Sequence, residues 1–173
     1  MRKLLVLAAL VSLGTLTAQE DMLVQGTIKG ILEQNQGQVV QLAEAFSEEQ
    51  YGWRPMEGVN SVAEALTHVA GANYYLAMKM GFPPPADVDM MKLGEITEKE
   101  NVIAALKKSN AFVLDKITQV ETGKLGDEVD FGFAKMNMLG GLLAMMEHNG
   151  EHKGQLIAYA RSNGVVPPWS VTQ

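Results

Sequence analysis

The chain has 173 residues, 47% of them hydrophobic, which gives enough material for one domain with a sizeable core and excludes a disordered chain. Lys plus Arg total 14 against 20 Asp plus Glu, a net charge of -6 with no basic run. That balance excludes a nucleic-acid binder that works by displacing counterions from phosphates. Without cysteine there is neither a disulfide nor a lipid-bearing thiol; an oxidising compartment is permitted by that absence but not required by it.

The N-terminus reads as a secretory signal. Arg2 and Lys3 give a basic start, Leu4 to Leu13 an apolar stretch, and small residues lead to Ala18. The apolar run is about half the roughly 20 residues that a membrane span needs. We therefore expect residues 1–18 to be a signal peptide and residues 20–173 to be one exported domain, periplasmic or secreted, with no stable membrane insertion once the signal is removed. Loss of Arg2 and Lys3 takes the net charge from -6 to about -8.

Four helical segments follow by apolar period. The first runs from about Met22 to Phe46, with Val24, Ile28, Ile31, Val39, Leu42 and Phe46 on one face and glutamines mostly on the others. The second opens at Ser61 with a Ser-x-x-Glu capping box completed by Glu64. Its stripe is Val62, Leu66, Val69, Leu76 and Met80, and Gly81 and Pro83 to Pro85 end it. The third is expected to open with a second box, Thr97 and Glu100, and to carry Val102, Leu106, Val113, Ile117 and Val120. The fourth runs from Asn137 or Met138 to Asn163, where Gly164 suits the left-handed position past a helix end and Pro167 and Pro168 prevent resumption. Between the third and fourth, Glu128 to Phe133 alternates weakly and suits a short extended piece. Four amphipathic helices without strong strands predict an all-α four-helix bundle.

All three histidines of the chain lie at the margin of a core-facing surface. His148 and His152 are one turn apart, about 40° on a helical wheel. They stand beside Met145 and Leu156, and His68 has the same relation to Ala65, Ala72 and Tyr75. Small neighbours (Ala65, Ala72, Gly150 and Gly154) leave room for a cavity. An i, i+4 pair presents two imidazoles to one ion at little ordering cost, and a third from a facing helix makes a three-histidine site with open positions. Spacing alone leaves open whether these are ligands or polar-edge histidines.

Competing motifs fit less well. His148 to His152 matches H-x-x-E-H with Glu151 as base, but no Asp or Glu follows to supply the downstream ligand. The di-iron Glu-x-x-His pattern fails because Met145 and Asn149 occupy the required places. Met136, Met138, Met145 and Met146 read as flexible core filler rather than a copper(I) site. Glu147 and Glu151 turn about 100° from the histidine that follows each. They are therefore not assigned as general bases, and the catalytic residues stay unknown. Gln155 and Tyr159 fall within about 60° of the pair and suit a ligand-orienting role. Arg161 suits the helix C-terminus.

These residues resemble the DinB-like (DinB/YfiT) family. The closing helix matches through His148, His152, Gly154, Gln155, Tyr159, Arg161, Gly164, Pro167 and Pro168. The start of the second helix matches through Trp53, Arg54, Pro55, Ser61 and His68. The resemblance extends from about Met22 to Trp169. It implies an up-up-down-down bundle, a homodimer, and a divalent metal, zinc or nickel, held by His68, His148 and His152. It says less about function, since characterised relatives include thiol-dependent transferases and isomerases; an ion that activates water or a thiol makes a metal-dependent hydrolase or thiol transferase acting on a small molecule the expected function. The alternative is a non-catalytic metal-binding or dimeric interaction protein. Export departs from the cytoplasmic thiol chemistry of characterised relatives.

Overall fold

The computed structural model describes residues 22–170, so residues 1–18, expected to be a signal peptide, lie outside the described residues. Among the described residues four α-helices carry the fold: α1 Leu23–Ala45, α2 Val62–Lys79, α3 Lys99–Ile117 and α4 Met138–Ser162. A two-stranded antiparallel hairpin, β1 Glu128–Asp130 and β2 Lys135–Asn137, precedes α4 with Val129 opposite Met136. The expected extended piece is thus real, but its partner strand was not foreseen, since three residues carry too little alternation to register. Among the described residues no helix is long and apolar enough to cross a membrane.

The expected up-up-down-down order is corrected to up-down-down-up. Gln25, at the start of α1, donates to the Val120 carbonyl just past the end of α3, and the Lys99 amine at the start of α3 reaches the Glu44 and Phe46 carbonyls at the end of α1. One apolar cluster joins Leu42 and Phe46 to Val62, Val102 and Leu156; the other joins Ile28 and Leu32 to Leu76, Ile117 and Leu142. The end of α1 therefore meets the starts of α2 and α3 and the end of α4. The connections explain this. Residues 46–61 form a local corner, where the Tyr51 hydroxyl donates to the Ala43 carbonyl, so α2 starts where α1 stops. Residues 80–98 run back along α2, with Leu93 buried over Gly71, so α3 starts at the same end as α2.

Two local expectations also change. Ser61 and Glu64 form the capping box at α2, but α3 has Glu98 at its N-cap, with no side-chain cap. Thr97 falls one residue outside, and Lys99 at the first helical position reaches the end of α1. On α1 the buried stripe is Ile28, Leu32, Val39, Leu42, Ala43 and Phe46, while Val24 and Ile31 are 38% and 44% exposed and Gln25 and Gln36 are buried. Gln25 takes the inward place because its amide has partners there, at 2.9 Å to the Val120 carbonyl and 3.1 Å to the Thr122 hydroxyl. Met145 is core, and Met136, Met138 and Met146 pack against the same cluster.

Candidate metal centre

His68 projects from the middle of α2 and the His148–His152 pair from α4, and these helices pack side by side. The Nε2 atom of His148 lies 3.1 Å from Nε2 of His68 and 3.1 Å from Nε2 of His152. One ligand nitrogen from each ring falls within 4.8 Å of the others. Nitrogens that share one ion at about 2.0–2.1 Å lie about 2.8–3.4 Å apart at ordinary coordination angles. The donor set therefore fits a divalent ion, and the group can hold one. A network of neutral rings accounts for it less well, because His148 Nε2 offers either one proton or one in-plane lone pair and so satisfies at most one of the two ring nitrogens it faces.

A chain of hydrogen bonds sets the tautomer of His152. Its Nδ1 donates to Gln155 Oε1 at 2.7 Å, the Gln155 amide donates to the Tyr159 hydroxyl at 2.9 Å, and that hydroxyl donates to the Asn60 carbonyl at 3.0 Å. Every donor in this series meets an acceptor, which leaves the Nε2 lone pair of His152 free toward the other rings. Gln155 and Tyr159, expected to orient a ligand, thus orient a histidine. Trp53 packs edge-on against Tyr159 at 5.3 Å between ring centroids, which gives the aromatic residue before Arg54 a structural purpose.

Behind the histidines a buried polar cluster links three helices. Asn149 donates to Asn73 Oδ1 at 3.0 Å, and Asn73 donates to Asn110 at 3.0 Å and to Ser109 at 3.2 Å. Asn149 adjoins His148 in sequence and Asn73 lies just over one turn beyond His68, so these bonds fix the register of α4 on α2. Burial and the neighbouring His152 and His68 rings push the His148 pKa down to about 4. The His68 pKa is also lowered, first by burial and then by His152, with Glu151 opposing. Low basicity keeps both rings neutral, the form that binds metal.

His68 and His148 stand on the wall of a cleft of about 750 Å³. One stripe of α2 (Glu64, Thr67, His68, Gly71, Ala72 and Tyr75) forms one side, Ala144, Glu147 and His148 of α4 another, and Met90, Met91 and Leu93 cover it. Phe133, at the hairpin turn, closes one end. The Tyr75 hydroxyl donates to the Phe131 carbonyl at 2.6 Å and ties the hairpin to α2. Of the small residues expected to make room, only Ala72 lines the cleft. Ala65 is core, Gly150 faces Asn35 and Gly154 borders open space. Glu147 reaches the wall because Ala144, Glu147 and His148 share an i, i+3, i+4 stripe. The 90–95 segment and Phe133 escaped sequence reasoning, since neither has a helical period.

The family model of the DinB superfamily matches residues 31–156. A crystal structure of a DinB-like protein from Bacillus cereus superposes with a TM-score of 0.68 at 15% identity, covering 80% of this chain and 94% of that one. A DinB-like protein from Bacillus subtilis gives a TM-score of 0.64 at 22% identity, covering 81% and 93%. These likenesses carry the fold. No functionally curated protein matches the chain in sequence.

Proposed function

The chain belongs to the DinB superfamily, and from that premise we propose that it is an exported, metal-dependent enzyme that holds zinc or nickel through His68, His148 and His152. Its reaction is hydrolysis or thiol transfer on a small molecule. One observation carries this reading: the three Nε2 atoms converge, two of the rings (His68 and His148) stand on the wall of the cleft, and among the described residues no carboxylate joins their group. Three protein ligands beside a cleft leave positions for water or substrate, as catalytic sites do and closed structural sites do not. A divalent ion there supplies Lewis acidity and lowers the pKa of a coordinated water or thiol towards neutrality.

The remaining work falls to the chain's own residues. Gln155 and Tyr159 hold the His152 ring in its ligand tautomer. The Asn149–Asn73 contact holds His148 opposite His68. Glu147 is exposed on the cleft wall and makes no ion pair among the described residues, so it is available to take a proton from a bound substrate. The test is metal content of the tag-free mature protein by mass spectrometry, beside His148→Ala/His152→Ala. About one zinc or nickel per chain, lost in the variant, supports the reading. No metal in either after incubation with both ions overturns it. Turnover by the loaded protein and not by the variant, across an ester and thiol panel, separates an enzyme from a metal-binding or dimeric interaction protein.

A further inference from the structure

The cleft beside the histidines is apolar on most of its surface and acidic where it is charged. Leu76, Met90, Met91, Leu93, Phe133 and Ala144 supply the apolar wall. Its lining includes two carboxylates and no Lys or Arg among the described residues. Glu64 is engaged: Arg54 pairs with it at 3.1 Å, and it accepts from the Ser61 backbone N–H at 2.7 Å. Those partners, the Ser61 bond first, hold its carboxyl below the usual carboxylate range. Glu147 has no such ion-pair partner among the described residues. Lys79 sits 5.5 Å from the centroid of the Tyr75 ring but is not among the residues that line the cleft.

This wall discriminates between tails. Binding apolar surface is favourable in proportion to the area removed from water. A carboxylate on the tail would lose hydration, meet Glu147, and find no cation to replace water. Among the described residues that line the cleft none is a Lys or Arg, so an ion held by the imidazoles would supply the positive charge there, which favours one anionic or polarisable head. We propose that the site takes a small molecule with a single metal-binding head and an uncharged, apolar tail, and disfavours multiply anionic ligands such as peptidic thiols. The proposal rests on the metal reading above and names the substrate class of that same site.

Three hydroxamates with the same head test it on the zinc-loaded full chain by calorimetry: acetohydroxamate, octanohydroxamate, and the eight-carbon hydroxamate that ends in a carboxylate. The expected result has three parts. Octanohydroxamate binds at least about 30-fold tighter than acetohydroxamate. The carboxylate-ended compound loses at least about 10-fold relative to octanohydroxamate, and Glu147→Gln recovers much of that loss. Ala144→Phe, which fills the cleft from the turn before His148, removes the chain-length preference while zinc stoichiometry stays unchanged. Equal binding of the short and long compounds, or tightest binding of the carboxylate-ended one, with zinc bound at one per chain, overturns the substrate class and leaves the metal reading standing. Failure to retain zinc overturns both.

Discussion

The Nε2 atoms of His68 and His148 lie 3.1 Å apart although 80 positions separate them in the chain. Neither helix alone makes this contact; α2 and α4 must pack in one register for it to exist. An ion that binds only the folded chain then stabilises it by linkage, about 2.7 kcal/mol at a free concentration 100 times Kd. In thermal melts, zinc or nickel should raise Tm of the wild type and leave His68→Ala unmoved.

Gln155 is the residue whose loss should weaken the site without removing a ligand. Gln155→Leu leaves His152 Nδ1 without its acceptor and frees the ring to rotate. Metal affinity should fall about 10–100-fold, the usual effect of removing an outer partner of a ligating histidine. Competition against a chelating dye measures this. Gln155→Glu keeps an acceptor and should retain affinity; equal losses in both variants would remove the orienting role.

The metal-free protein should lose stability as pH falls from about 6.5 to about 4. An unfolded histidine titrates near 6.5, whereas His148 in the fold titrates at about 4. Between those values the unfolded state binds a proton that the folded state does not, so stability decreases as pH falls. The contribution is fully present above 6.5 and stops changing below about 4. Urea midpoints at pH 7.5, 5.5 and 4.5 check it, with His148→Ala showing a shallower decline.

Asn73 should behave as a register pin. Asn73→Ala strands the Asn110 side-chain carbonyl oxygen and one N–H of the Asn149 amide, whose nitrogen keeps its bond to the Met145 carbonyl; buried groups left unpaired cost about 1–3 kcal/mol each. A loss on the order of 3 kcal/mol in urea unfolding is expected. Metal affinity should drop with it, because α4 is no longer held opposite α2. Unchanged affinity in the folded variant would confine Asn73 to stability.

Gly141 reverses the usual helix rule. Alanine is favoured over glycine inside a helix by about 1 kcal/mol. Here a Cβ would stand 2.3 Å from Cζ of Phe131, a fully buried ring. Gly141→Ala should therefore destabilise by about 1–3 kcal/mol, the range for overpacking a core. Adding Phe131→Leu should recover part of the loss in the double variant.

Local chemistry in the sequence determined the helices, the box at Ser61 and Glu64, and the placing of three histidines at core margins. Each depends on spacing within a few residues, which helical geometry turns directly into faces and caps. Long-range partners decided the rest. Gln25 turned inward in place of Val24 because the Val120 carbonyl was waiting at the end of another helix. The Thr97 box is unformed because α3 begins one residue later, with Glu98 at its N-cap, while Lys99 reaches across to the end of α1. The bundle runs up-down-down-up because residues 80–98 travel back along α2, a path that periodicity does not encode. That same segment covers the cleft, so the wall beside the histidines exists only once the chain has folded back on itself. A helical wheel gives the direction in which a side chain leaves its helix; what it meets there depends on which helix, loop or unpaired polar atom packing brings against it.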